Sequence, residues 1–346
     1  MEALSERQKL ILTLVIHEYI RTAAPVGSNH LVNHYHLDFS PATVRNELQA
    51  LTEMGYLRQP HTSAGRVPSD EGYRYFVGRL LQQSDLPSST QRTITHQFYQ
   101  MRHDTDQWMR LAASVLASQS RAASMVTAPH PEQVLYKHVE LIATRGRQVL
   151  MVLVMLGGEI RQRLLTLSEP VSQEQLSAAA DRLNALLQGK DTLAIQSLSL
   201  PLDALEQAIL DWVIEEMARA NALPSGEVYL DGLTNVVGEP EFSDSEEARR
   251  TLRLLEERTL LNDLLTRSTV LMDAPVGGVQ VLIGGEGSYD ELRRCSVVLA
   301  RYGAPGLAMG TLGVLGPMRM PYGRAISTVR FLAGLLSELV ADTLVE

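Results

Sequence analysis

The sequence predicts an α+β chain: a small helical head closed by a hairpin, followed by a larger mixed body. Three observations predict it. Three short helical patterns with strong start signals fill the N-terminal segment. Two short apolar pieces then flank the loop "QPHTSAGRVPS", Gln59 to Ser69. Beyond His138, alternating strand-like runs and Gly-containing turns interleave with amphipathic helical stretches.

The first helix is announced by Ser5 and Gln8, a capping box, and by an apolar stripe of Leu10, Ile11, Leu14, Val15 and Tyr19. "APVG" ends it. Ser28 is expected to cap a short second helix with Leu31, Val32 and Tyr35 inward. Ser40-Pro41 opens the third, because Ser caps and Pro suits the first helical position. Its inner face is Val44, Leu48 and Leu51, and Gly55 closes it. The pieces "YLRQP" and "RVP" make a hairpin with Gly65 at its tip. Ser69-Asp70-Glu71 then starts another helix, and "QQSDLPSSTQ" is a linker.

Ile94, Phe98, Met101, Thr105, Trp108, Ala112 and Val115 recur at steps of four and three. That spacing is either a heptad seam or the inner face of one long helix. "VELIATRGRQVLMVLVMLGGEIRQRLLTL" reads as three strands separated by turns at Arg145-Gly146 and Gly157-Gly158. Two amphipathic helices, a strand at "EVYLDGL", a charged helix within "SDSEEARRTLRLLEERTLLNDLL", three more strands and a closing helix complete the body.

The chain has 346 residues, enough for two or three domains. Its net charge of −9 argues against indiscriminate nucleic-acid binding. The distribution changes that view. In residues 1–80, eight Lys/Arg balance eight Asp/Glu, so the whole excess lies on the body. Five of the nine histidines, His17, His30, His34, His36 and His61, are also in the head. One cysteine, Cys295, excludes an intrachain disulfide and fits a reducing cytoplasm. No signal peptide is expected. The longest apolar run, "VLMVLVML", is far short of the roughly 20 residues that span a bilayer, so no membrane role is expected and a cytoplasmic location is.

Three helices and a hairpin form the winged helix-turn-helix arrangement. With Val44, Leu48 and Leu51 inward, the third helix must present Ala42, Thr43, Arg45, Asn46 and Gln49 outward. Arg suits guanine, Asn and Gln suit adenine, and small groups suit the thymine methyl. Thr43, Arg45, Asn46 and Gln49 are therefore expected at bases. Ser40, His61, Thr62, Ser63 and Arg66 are expected at the duplex backbone or an adjacent minor groove. One such module reads only a few base pairs, so a two-fold dimer matching an inverted repeat is expected.

"PVGS", "SPATVRNELQALTEMGYLRQPHTSAGRVPSDEGYRYFV", "LDGLTNVVGEPEF", "IGGEG", "CSVVLARY" and "GTLGVLGPMRMPYGRAI" resemble, in order along nearly the whole chain, the HrcA-type heat-inducible transcription repressors. The family's Thr-Arg-Met-Asp-Tyr block reads Met318-Arg319-Met320-Pro321-Tyr322 here, and its Glu-Asn after Ile-Gly reads Gly285-Glu286-Gly287. The resemblance implies a winged helix-turn-helix head, a GAF-like mixed α/β domain and an inserted dimerisation domain. Its boundaries fall at 1–80 for the head, 81–104 for a linker and the start of a long helix, 105–168 and 232–346 for the GAF-like domain, and 169–231 for the insert. It also implies a homodimer that represses chaperone operons through an inverted-repeat operator (the CIRCE element), with the chaperonin as a partner that promotes the active form and heat releasing repression. The seam from Ile94 to Val115 and the inserted helices are both candidate dimer interfaces.

Other patterns are weaker. His30 and His34 have the i, i+4 spacing of a metal pair, as in a metal-sensing regulator. No Cys joins them, and Asp38 and Glu18 do not stand out, so exposed or phosphate-facing histidines are expected. "VLIGGEGSYDEL" lacks the Lys-Ser/Thr of a nucleotide loop and reads as a tight turn. A winged-helix regulator sensing a small molecule or metal through the GAF-like body is the alternative reading. Cys295 lies in an apolar strand with no His/Asp partner. Glu215-Glu216 and Glu256-Glu257 read as solvated helix faces. No catalytic set, metal or cofactor is expected.

Overall fold

A computed structural model of the chain describes residues 4–61, 64–82, 85–101, 104–131, 134–156, 159–198, 201–222, 227–242, 249–250, 253, 257, 261, 276–284 and 292–345. Helix α1 (Glu6–Thr22) begins at the expected capping box. Ser5 Oγ accepts from the Gln8 amide, and Gln8 Oε1 accepts from Ser5 N–H. Its buried stripe differs from the expected one: Ile11, Leu12, Val15, Ile16 and Glu18 face in, while Leu10 is 42% exposed. The stripe is centred one residue later because α1 is covered by both α3 (Pro41–Glu53) and the strand at Val67–Pro68.

Helix α2 (Ser28–Tyr35) is capped by Gly27 with no side-chain bond, and Ser28 is buried at its first position rather than acting as the cap. The reason lies in the preceding residue. Val26 exchanges two backbone hydrogen bonds with Arg66, both 2.8 Å, which fixes where the helix can start. Ser40 caps α3 as expected, accepting from Thr43 N–H at 3.1 Å, with Pro41 next. Gly55 follows the C-cap with φ +84°. Gly55 N–H then bonds Thr52 O and Tyr56 N–H bonds Leu51 O, the Schellman closure that favours glycine there.

Strands β1 (Leu57–Arg58) and β2 (Val67–Pro68) pair antiparallel. Helix α4 (Asp70–Tyr75), capped by Ser69, runs into a π-helical turn at Phe76–Leu80. Two helices, α5 (Ser88–Gln100) and α6 (Thr105–Ser120), carry the seam that one long helix was expected to carry. Asp104 is the cause. It sits in an extended conformation and its carboxylate accepts from the Asp106 and Gln107 amides, so it starts a second helix instead of continuing the first.

The remaining elements are β3 (Ala123–Thr127), β4 (His130–Pro131), β5 (Tyr136–Ala143), β6 (Gln148–Met155), β7 (Ile160–Thr166), α7 (Gln173–Leu187), α8 (Thr192–Gln196), α9 (Ala204–Ala222), β8 (Val228–Asp231), α10 (Leu233–Val237), β9 (Val279–Ile283), β10 (Cys295–Ala304), β11 (Ala308–Pro317) and α11 (Tyr322–Val345). Helices α8 and α10 have no counterpart in the sequence reading. Most of the charged helix expected after Ser243, the turn at Gly157-Gly158 and Gly285-Glu286-Gly287 lie outside the described residues. Among the described residues no helix is long and apolar enough to cross a membrane, and the run "VLMVLVML" forms most of β6.

The chain divides into two compact units. One comprises Met1–Ala128, Val228–Tyr302 and Thr311–Leu339; the other comprises Pro129–Glu227, Gly303–Gly310 and Val340–Glu346. In the first, the strand order is β8-β3-β11-β10-β9, with β3 antiparallel to both β8 and β11. Nearly every residue of β10 and β11 is buried, which accounts for their unbroken apolar runs. Cys295 lies in this core with Ala123, Met125, Val297, Leu299 and Leu315. The altered Met318–Tyr322 loop ties the head to the body here. Arg319 pairs with Glu241 (Nε–Oε1 2.5 Å) and with Glu239, and points Nη1 at Ile20 O of α1, 3.5 Å away. Arg74 of α4 donates to Ile283 O at 3.3 Å.

In the second unit β5, β6 and β7 form an antiparallel meander. Its inner face, Val139, Leu141, Val149, Met151, Leu153 and Leu165, shares one core with Leu176 and Leu183 of α7 and Val213 and Met217 of α9. The sequence reading separated these strands from these helices at 168/169. The strands have this core as their cover, so they belong with the helices. Glu215 and Glu216 are not merely solvated: Arg163 and Arg219 both bridge them, and Glu216 is buried. Glu257 pairs with Arg253 at 2.6 Å, and Glu256 lies outside the described residues.

Candidate nucleic-acid interface

Helix α3 is held from below by Val44, Leu48 and Leu51, all buried against α1 and α2. Arg7 of α1 adds an ion pair to Glu47 (2.8 Å) and lies over the Phe39 ring. The opposite face is open. Ala42, Arg45, Asn46 and Gln49 are exposed and Thr43 is half-buried, so the five expected outward positions do share one side. Neither Arg45 nor Asn46 hydrogen-bonds or ion-pairs with a described residue. Ser40 Oγ is committed to α3, accepting from Thr43 N–H and lying 2.9 Å from Thr43 Oγ1. The helix therefore presents uncommitted base-reading side chains one turn from an N-terminus that favours anions.

Helix α2 is pinned beside it by a carboxylate that sequence reasoning passed over. Glu18 is buried on α1. Its Oε1 is 2.7 Å from Arg21 Nη2 and 2.9 Å from His30 Nε2, and its Oε2 accepts from Tyr35 OH at 3.2 Å. Burial alone would raise its pKa, but hydrogen bonds from Arg21, His30 and Tyr35 and the Arg21 charge outweigh that and hold it below the usual carboxylate range. His30 also stacks on His34, with ring centroids 5.3 Å apart. The i, i+4 histidines are thus engaged with a carboxylate and with each other.

The hairpin stands at the other end of α3. His61 is exposed and its carbonyl accepts from Ala64 N–H; Thr62 and Ser63 lie outside the described residues. Gly65 keeps ordinary backbone angles but lies against Val26: a Cβ there would be 2.4 Å from Val26 backbone atoms. It is glycine for close approach, not for the turn expected of it. Arg66 does not extend outward. Its Nε donates to Thr52 Oγ1 and its Nη2 to Gln49 Oε1, each 2.9 Å, so the hairpin root grips the side of α3. A cleft of about 400 Å³ lies where α3, the α1–α2 connection and the hairpin meet, and Arg45 and Arg66 line it. Asn29 and Gln59 line it too. Sequence reasoning missed both. Asn29 sits at the start of α2, where only the "GSN" helix-start pattern could have drawn attention to it.

Residues 106–326 match the family described as HrcA protein C terminal domain. The whole chain is similar to heat-inducible transcription repressors HrcA from several organisms. That of Roseiflexus castenholzii is 46% identical, covering 98% of this chain and 95% of its own length. That of Chloroflexus aurantiacus is 42% identical over 98% and 94%, and that of Dehalococcoides mccartyi strain 195 is 34% identical over 98% and 96%. Among solved structures, the chain resembles a hypothetical protein determined at 2.2 Å resolution, with a TM-score of 0.59, 22% identity and 98% of each chain covered. That likeness speaks to the fold alone. With residues 106–326 matched to the family model and relatives up to 46% identical over 98% of the chain, the protein belongs to the HrcA family of heat-inducible transcription repressors, a family of regulators and not of enzymes.

Proposed function

We propose that the protein is a dimeric, sequence-specific transcription repressor whose winged-helix head, residues 1–80, reads duplex DNA through α3. The observation that carries this is the uncommitted face of Arg45 and Asn46 beside the hairpin. Arg45, Asn46, Thr43 and Gln49 meet base edges in the major groove. Ser40, by holding the N-terminus of α3, places a helix end at a phosphate. His61, Thr62 and Ser63 ride the backbone or the adjacent minor groove.

The operator is an inverted repeat of the CIRCE type upstream of chaperone operons, the chaperonin promotes the active form, and the protein works in the cytoplasm. The body strands β3 and β8–β11 form the GAF-like domain. Residues 129–227, rather than 169–231, form the inserted dimerisation domain. In support of that boundary, the outer face of β5–β7 carries Ile142, Leu150, Val152, Val154, Ile160 and Leu164, with Ile160 56% and Leu164 55% exposed. A second copy would cover that face, and the two-fold pairing would match the repeat.

The test is fluorescence anisotropy on an inverted-repeat duplex and a scrambled duplex of equal length. Wild-type protein is expected to prefer the repeat. Arg45→Ala is expected to lose about 1–3 kcal/mol of discrimination at one base pair per half-site. Equal binding of both duplexes by wild-type protein would defeat the assignment.

A further inference from the structure

The hydrogen bonds around Gln49 run in one direction. Thr52 Oγ1 donates to Leu48 O at 2.7 Å, so its oxygen is left to accept from Arg66 Nε. Arg66 Nη2 donates to Gln49 Oε1, and Gln49 Nε2 donates to Glu53 Oε1, each at 2.9 Å. A guanidinium can only donate and an ionised carboxylate can only accept. The two neighbours therefore determine which end of the Gln49 amide is oxygen and which is nitrogen. Reversing the amide would set NH₂ against guanidinium and oxygen against carboxylate. Arg66 itself cannot drift, because its backbone is bonded on both sides to Val26 and Gly65 is seated against the Val26 peptide.

We propose that Arg66 and Glu53 lock the side-chain amide of exposed Gln49 in one of its two orientations, so that α3 offers a base a fixed donor–acceptor order. Arg66 is a positioning residue that acts through Gln49, not a contact to the phosphate backbone. The inference rests on the reading that α3 faces the bases. One amide hydrogen and one oxygen lone pair of Gln49 remain unused after the lock is made. That pair is what the N7 acceptor and N6 donor of adenine require. The lock uses one of each and leaves the pair needed for readout.

The experiment uses the full chain. Preferred duplexes are selected by wild-type protein from a random-sequence pool, and affinities for all single-base variants of the winner are then measured over a series of salt concentrations. Gln49→Ala is expected to erase the preference at one base pair per half-site, by about ten-fold or more. Arg66→Ala and Glu53→Ala, each of which removes one of the two groups that orient the amide, are expected to weaken the preference at that same base pair, and the double variant Arg66→Ala/Glu53→Ala to erase it. The double variant Gln49→Ala/Arg66→Ala should discriminate no worse than Gln49→Ala alone. Arg66→Lys, which keeps the charge but cannot span Thr52 and Gln49, should behave like Arg66→Ala. The salt slope should not change. The lock is overturned if Arg66→Ala weakens every duplex alike and lowers the salt slope by about 0.9 per site, with Arg66→Lys restoring both, because that is the signature of a phosphate contact. It is also overturned if Glu53→Ala strengthens every duplex without changing their ranking, because the carboxylate then only repels DNA. A wild-type chain that selects no duplex brings down the proposed function and the lock together, whereas a selective wild type with either overturning result removes the lock alone.

Discussion

Single side chains here act through partners on other elements as well as on their own. Glu18 gathers Arg21, His30 and Tyr35, and its carboxyl is held below its ordinary range. A group with a depressed folded pKa stabilises the fold above its unfolded value, near 4.3, and that contribution is lost as pH falls through the lower folded value. The stability of the head should therefore drop on acidification below about pH 5. Glu18→Gln should cost about 1–3 kcal/mol at pH 7 and flatten the acid limb, measured by urea unfolding across pH. An unchanged acid limb would remove Glu18 as its source. The sequence revealed the residue types of the candidate site but not these connections. Spacing along a helix identifies which residues share a face, and Arg45, Asn46 and Gln49 were legible in that way. Spacing carries no information about a side chain that crosses from one element to the next, as Arg66 does to Gln49 and Glu18 does to His30.

Elements were legible where their ends carry their own chemistry. Ser5 with Gln8, Ser40 with Pro41, and Gly55 each mark a boundary that the structure keeps, because caps are satisfied within one turn. Boundaries set by tertiary contact were not legible. The start of α2 depends on the Val26–Arg66 pairing. The break between α5 and α6 is a local cap by Asp104 that the continuous apolar spacing from Ile94 to Val115 masked. The strongest test at this scale is Gly65→Ala. A methyl there would sit 2.4 Å from Val26 backbone atoms, which no side-chain rotation can relieve. The hairpin should be displaced from the α1–α2 connection at a cost of about 2 kcal/mol or more, seen as a lower thermal midpoint and faster amide exchange at Val26 and Arg66. A substitution without effect on either would mean that the close approach does not hold the hairpin.

The mixed α+β class was legible from alternating strands and amphipathic helices, but the division into units was not. Boundaries borrowed from resemblance placed β5–β7 apart from α7–α9, whereas their buried residues fill a single core. Periodicity shows that a strand has an apolar face and is silent on which helix covers it. It also hides a strand with two apolar faces, such as β6, whose Val152 and Val154 point away from that core. If a second copy covers this outer face, Leu164→Glu should convert dimers to monomers at micromolar concentration in light scattering, with the second unit still folded by circular dichroism. A dimer that survives Leu164→Glu would place the interface elsewhere. The register of β3 with β8 has a further consequence. Thr127 lies opposite Val228, so residues 128–227, which begin with β4 paired to β11, separate two paired positions of one sheet. In chain terms, β3 and β8 are a hairpin whose turn is itself a folded unit. Joining them through an unstructured loop of that length would be slow and entropically unfavourable, but a meander that has already closed on its helices delivers the two ends side by side. The expected order is that the meander and its helices gain protection before β8 adds to the sheet, and pulsed hydrogen exchange that protects β8 earlier than β5–β7 would overturn it.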